Sequence, residues 1–198
     1  MRVAVFFATR EGHARKVAEH IAANLRSHGL DVDLNDVRAL QSCLEWSQYE
    51  TAWVAASVHA GRHEREMIRF VREHRTQLER LRAVFVSVSL SQAGAEDASG
   101  TAARREASAA DVRRMIDLFV RKTGWHPARI LPVAGALAYS RYNLLVRFVM
   151  KRIARSQGAP TDTSRDYEFT NWETLDRFVD SLTRRADEAA QARVVASA

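Results

Sequence analysis

MRVAVFFATREGHARKVAEHIAANL, residues 1–25, is the stretch from which the fold is read. The apolar run Val3-Ala4-Val5-Phe6-Phe7 stops at the polar residues that begin with Thr9. Val17, Ile21 and Leu25 then recur at helical spacing, with Ala14, Ala18 and Ala22 beside them. The pattern predicts a buried strand, a short loop with one glycine, and a helix packed back on the strand. Such a turn points backbone N–H groups and the positive end of a helix dipole at one spot, which suits a phosphate. A dinucleotide fingerprint needs three glycines and a P-loop needs Gly-Lys-Ser/Thr; neither is present. One hydroxyl (Thr9) and a few successive N–H groups suit a single terminal phosphomonoester.

Outward from this turn, strand and helix alternate to the end of the chain. Val32 and Leu34 alternate with acids in a second strand, and Trp53-Val54-Ala55-Ala56-Ser57 is continuous enough for a central third. Met67, Phe70, Val71, His74, Leu78 and Leu81 predict one helix, and residues 83–88 a fourth strand. Residues 90–105, rich in Ser, Ala and Gly, read as a long loop. Val112 to Val120 mark a helix, and Ile130 to Ala134 a fifth strand that Pro132 assigns to an edge. Trp172 to Leu182 mark the last helix, and the alanine-rich segment 186–198 reads as a frayed tail. The fold class expected is therefore α/β: one domain, 1–185, with a doubly wound five-stranded parallel sheet of order 2-1-3-4-5. In such sheets ligands sit beyond the carboxyl ends of the strands, where residues 9–14, 57–63 and 87–91 come together.

A long insertion, 138–170, follows the fifth strand, and connections of that length are usually functional. Residues 139–155 carry Arg141, Arg147, Lys151, Arg152 and Arg155 and no acid. Tyr142, Leu145, Val146, Val149, Met150 and Ile153 share one arc of a helical wheel, while Leu144 and Phe148 sit among the charges. A basic amphipathic segment of this kind suits an anionic membrane surface, or else packs as an ordinary surface helix.

The bulk composition limits the function classes. The chain has 198 residues, 46% of them hydrophobic, enough for a packed core. Its formal net charge is +6, which favours anionic partners. Outside the insertion the basic residues are interleaved with acids and no nucleic-acid fold signature occurs, so nucleic acid is not an expected partner. A single cysteine, Cys43, forms no internal disulfide and no cysteine-based metal cluster. No metal site, membrane span or signal peptide is expected, which predicts a cytoplasmic location.

Several runs carry a more specific likeness. They are Phe7-Ala8-Thr9-Arg10-Glu11-Gly12, Ala56-Ser57-Val58 with Gly61, Ser87-Val88-Ser89-Leu90 and Trp125-His126-Pro127. The most specific is Ala134-Gly135-Ala136-Leu137-Ala138-Tyr139-Ser140-Arg141-Tyr142, followed by Phe148-Val149-Met150-Lys151, Thr161-Asp162-Thr163 and Thr170-Asn171-Trp172-Glu173. With these runs the chain resembles, nearly end to end, the menaquinone-dependent protoporphyrinogen IX oxidases (dehydrogenases), a flavodoxin-like family of bacterial haem synthesis. The resemblance implies an FMN enzyme that oxidises protoporphyrinogen IX to protoporphyrin IX and passes electrons to a membrane quinone, menaquinone or ubiquinone. It also implies peripheral association with the anionic inner-membrane surface. An electron-transfer or quinone-reducing flavodoxin without a porphyrin site is the alternative, although such carriers are typically acidic.

On this reading FMN is held by Thr9, Arg10, Glu11, Gly12, His13 and Ala14, by Ser57, Val58, His59, Ala60 and Gly61, and by Ser87, Val88, Ser89 and Leu90. Substrate or membrane contact falls to Arg141, Tyr142, Leu144, Arg147, Phe148, Lys151 and Arg155, with Arg141 the candidate for the substrate's carboxylates. No catalytic side chain stands out. Two positions depart from the family: it carries a hydroxyl residue at the position of Ala14 and an aromatic at that of Ala60. The missing hydroxyl would remove a phosphate hydrogen bond worth about 1.5–3 kcal/mol. His59 and His63 are the candidates to cover the flavin ring in place of the aromatic.

Overall fold

The computed structural model describes residues 2–40, 44–137, 139 and 162–196, with side chains as far as 184. In chain order the elements are β1 (Arg2–Ala8), α1 (His13–Ser27), β2 (Asp31–Asp36), a 3-10 turn (Trp46–Gln48), β3 (Thr51–His59) and β4 (Arg62–His63). Then come α2 (Arg65–Glu73), α3 (Arg75–Arg80), β5 (Val84–Ser89), α4 (Leu90–Glu96), α5 (Ala102–Thr123) and β6 (Arg129–Ala134). The short strands β7 (Ala136–Leu137) and β8 (Tyr167–Glu168) precede the last helix, α6 (Trp172–Ala196).

Five strands run parallel in the order β2-β1-β3-β5-β6. With the two-residue β4 set aside, this is the expected 2-1-3-4-5 order. Alternate residues of β1 face opposite sides of the sheet. Val3, Val5 and Phe7 pack with Val17, Ile21 and Leu25 of α1 and with Leu175 and Val179 of α6. Ala4, Phe6 and Ala8 pack with Met67, Phe70 and Val71 of α2 and with Val112, Met115 and Phe119 of α5. Helices on both faces explain why β1 reads as an unbroken apolar run. Trp53 and Trp125 are core residues, one on each side.

The sequence reading and the structure differ at three places. The helix expected over 67–81 is two, broken at His74, whose ring packs 4.8 Å from Phe70 and 5.1 Å from Trp46. The segment 90–105, expected as loop, holds α4 and the start of α5. Ser89 Oγ accepts the Gln92 N–H and Thr101 Oγ1 the Arg104 N–H, so Thr101 within that segment and Ser89 just before it are helix N-caps. The backbone of α6 stays helical through Ala196, into the segment that composition marks as a tail; alanine is the best helix former. Pro132 lies in β6, at the sheet edge, as expected.

Candidate functional site

The carboxyl ends of β1, β3, β5 and β6 border an open cleft. Thr9, Glu11 and His13 line it from the turn after β1, and Ser57, Val58 and His59 from the end of β3. Val88, Ser89 and Leu90 contribute from β5 into α4, and Gly135 and Ala136 from the turn after β6. At Gly135 the backbone N–H donates to Ser89 O at 2.9 Å. A Cβ there would stand 3.2 Å from the Ser89 carbonyl carbon, so glycine permits the close approach of these two strand ends.

The first turn is built around Gly12, in the left-handed region at φ 94°. Its N–H donates to Thr9 Oγ1 at 3.0 Å, so the buried hydroxyl closes the turn as an acceptor and keeps its own proton to donate. Lys16 N–H is bonded to Gly12 O at 3.1 Å. The N–H groups of His13, Ala14 and Arg15 lie before it and have no acceptor within the helix. They sit at the positive end of the α1 dipole, the arrangement that binds phosphate. Ala14 itself is buried against the sheet and presents only this N–H.

Polar contacts hold the turn from both sides. Arg10 Nε donates to Glu64 Oε2 at 3.0 Å, and Glu64 is buried, its own N–H bonded to Ser57 O at 3.2 Å. Arg10 is thus a clamp between the first turn and β3. On the other side His13 Nε2 lies 2.7 Å from Thr170 Oγ1, which donates to Ala134 O at 2.7 Å. Burial lowers the His13 pKa. Lys16 Nζ and Trp172 Nε1 both donate to the Glu168 carboxylate, at 2.6 and 2.9 Å. Burial opposes ionisation of Glu168, but these bonds outweigh it and hold its pKa below the usual range. At the opposite wall His59 Nδ1 is 3.3 Å from Glu11 Oε1. Among the described residues that line the cleft there is no lysine or arginine.

A flavodoxin domain model matches residues 4–164. The chain belongs to the flavodoxin domain family. Flavodoxin 1 from Bacillus cereus superposes with a TM-score of 0.50 at 13% identity, covering 93% of this chain and 98% of that one; it attests the fold alone. An Escherichia coli (strain K12) protein named protoporphyrinogen IX dehydrogenase [quinone] is 28% identical over 188 residues, 95% of this chain and 98% of the relative. A Leishmania major protein of the same name is 26% identical over 175 residues, 88% of this chain and 71% of the relative.

In this flavodoxin domain nine of the fifteen residues expected at a cofactor line the cleft: Thr9, Glu11, His13, Ser57, Val58, His59, Val88, Ser89 and Leu90. Arg10, Gly12 and Ala14 shape the first turn from behind. Ala60 and Gly61 form the tip of the β3–β4 hairpin, at φ 48° and 73°. Ser87 is not on the cleft wall. Strand alternation puts it on the α5 side of the sheet with Phe85, and its Oγ is 2.9 Å from His63 Nε2. His63 is therefore no cover for a ring in the cleft. Its own ring is buried against Phe85 and Phe119, with centroids 5.2 and 5.0 Å away.

Sequence reasoning missed Gly135 and Ala136 as lining residues, and Thr170 and Glu168 as supports of the first turn. A glycine directly after a strand, at the sheet's carboxyl end, was the available sign of the first. Arg141, Tyr142, Leu144, Arg147, Phe148, Lys151 and Arg155 lie outside the described residues. Antiparallel pairing of Ala136 with Glu168 and Leu137 with Tyr167 brings the two ends of the insertion together beside the cleft. Among the described residues no three His, Cys, Asp or Glu are grouped to hold a metal ion, and no helix is long and apolar enough to cross a membrane.

Proposed function

We propose that this flavodoxin domain binds FMN non-covalently in the cleft and oxidises protoporphyrinogen IX to protoporphyrin IX, with a membrane quinone as electron acceptor. The observation that carries this reading is the similarity over 95% of the chain to a protein named for that reaction. The donor set of the cleft fits the cofactor. The Thr9 hydroxyl and the first-turn N–H groups of α1 would take the phosphate, and 57–59 and 88–90 would flank the ring. When bound, the flavin supplies the two-electron chemistry. One phosphate cradle favours FMN over FAD.

The protein's own residues hold the two loops around that group. The Arg10–Glu64 pair fixes the first turn to β3, and the Gly135–Ser89 bond fixes the β6 turn to β5. Menaquinone or ubiquinone is the acceptor on this reading, met at the inner membrane from the cytoplasmic side. Arg147, Lys151 and Arg155 would face anionic lipid, with Leu144 and Phe148 entering the interface. Arg141 would take a propionate of the substrate, for which a guanidinium fork is suited.

The test is an anaerobic assay of protoporphyrinogen IX oxidation with menaquinone and ubiquinone analogues, on protein whose flavin has been released and identified. Bound FMN and quinone-dependent formation of protoporphyrin are the expected outcome. Flavin-loaded protein that reduces quinones but leaves protoporphyrinogen untouched would instead make it an electron carrier.

A further inference from the structure

We infer that His13 is the charge-sensing residue of the phosphate cradle, taking up a proton when a terminal phosphomonoester binds and releasing it when the site empties. The inference rests on the FMN reading of the cleft. It begins from a charge deficit: a phosphomonoester is close to a dianion at neutral pH, and the described lining residues include no lysine or arginine. Arg10 is engaged by Glu64, and Lys16 by Glu168. Among the described lining residues the imidazoles are those of His13 and His59. His13 is the first residue of α1, immediately after Gly12, where the free N–H groups gather.

The hydrogen bonds fix which nitrogen is available. Thr170 spends its hydroxyl proton on Ala134 O, so its oxygen accepts from His13, and Nε2 carries the ring proton. Nδ1 is then the bare nitrogen of the neutral ring and the site of proton uptake. Its nearest acid is Glu168, 4.0 Å away and beyond hydrogen-bond reach.

The charged surroundings oppose one another in the empty site. Burial disfavours the imidazolium most and Lys16 of α1 adds to it, whereas Glu168 of β8 and the Ala134 carbonyl favour it. The Trp172 ring of α6, 6.3 Å away, contributes to that burial, and the Glu11–His59 pair stands on the same cleft. The neutral form therefore holds at neutral pH before binding. A phosphate arriving at the adjoining N–H groups adds negative charge without adding cation, which raises the affinity of Nδ1 for a proton. Linkage then requires that FMN bind more tightly as pH falls. Uncharged riboflavin brings no such charge and no such uptake.

Isothermal titration of flavin-free protein with FMN, in two buffers of different ionisation enthalpy, counts the protons. Near pH 7.5, above the second phosphate ionisation of about 6, that ionisation contributes little. The wild-type protein should take up a measurable fraction of a proton per FMN, up to about one, and none with riboflavin. His13→Gln retains an N–H donor for Thr170 but cannot titrate. It should bind FMN with no uptake, and its affinity should be flat with pH where the wild type tightens by up to about tenfold per pH unit. FMN binding by the wild type without proton uptake, or equal uptake in His13→Gln, overturns the assignment while the flavin reading stands. Failure of the wild type to bind FMN overturns the flavin reading, and this inference with it.

Discussion

His63 shows what one buried side chain costs as pH changes. It is 3% exposed, hydrogen-bonded to Ser87 through Nε2, and its Nδ1 has no partner among the described residues. Burial pushes its pKa down from 6.5 to about 3. The folded protein therefore keeps His63 neutral where the unfolded chain already binds a proton. The stability it contributes is full above pH 6.5 and is lost as pH falls toward 3. Between about pH 6.5 and 5.5 the loss should be about 1 kcal/mol, before most carboxylates titrate. Urea midpoints across this interval check it: the wild type should lose that much more than His63→Gln, and identical slopes would contradict it. The sequence placed His63 in a cofactor loop because it follows Gly61. Only the hairpin pairing of Val58 with His63 turns the residue under the sheet end. Cross-strand pairing of this kind leaves no trace in local periodicity, and Ser87 was misplaced for a related reason. Its strand was recognised, but which face of a doubly covered strand meets the cleft is set by the partners, since both faces read as apolar.

At the scale of elements, the β3–β4 hairpin turns at Ala60-Gly61, both with positive φ. A two-residue turn with left-handed conformation at both positions is the type I′ turn, which favours Asn-Gly. Alanine in that region costs roughly 1–2 kcal/mol, whereas asparagine tolerates it. Ala60→Asn should stabilise the protein by about 0.5–1 kcal/mol and raise its Tm by about 2–4 °C per kcal/mol. A thermal melt of the flavin-free variant against the wild type measures this, and an unchanged or lower Tm would contradict it. The long elements were readable because their apolar spacing extends over several turns, as in α1. The short ones were not: α4 is a seven-residue helix of Leu, Ser, Gln, Ala, Gly and Glu, with too few apolar residues to show a period. Its evidence was Ser89 in the N-cap position, which read equally well as loop. The break between α2 and α3 was hidden because Met67, Phe70, Val71, Leu78 and His74 keep one helical phase across it.

For the whole molecule, the chain's net charge of +6 is concentrated where the fold has its insertion, and the five basic residues of 139–155 stand without an acid. The five-stranded framework and the gathering of three loops at one sheet end followed from residues that must bury apolar surface. The function of the insertion had no such constraint, because a basic amphipathic segment serves equally as a surface helix or a lipid contact. Pairing of β7 with β8 pins both ends of the insertion at the rim of the cleft, so a lipid contact there would present the cleft toward the membrane. Each basic residue near an anionic surface contributes about 1 kcal/mol, so exchanging Arg147, Lys151 and Arg155 for glutamate removes about 3 kcal/mol and adds repulsion. Partition onto vesicles rich in anionic lipid should fall at least roughly a hundredfold. Turnover with a membrane-embedded quinone should slow in parallel, while flavin content, which on the proposed reading depends on the turn at residues 9–14, should not change. Sedimentation with anionic and neutral vesicles separates the electrostatic part from apolar insertion by Leu144 and Phe148. If binding and turnover both survive the triple exchange, the segment is a surface helix and the electrons reach the quinone by another face of the protein.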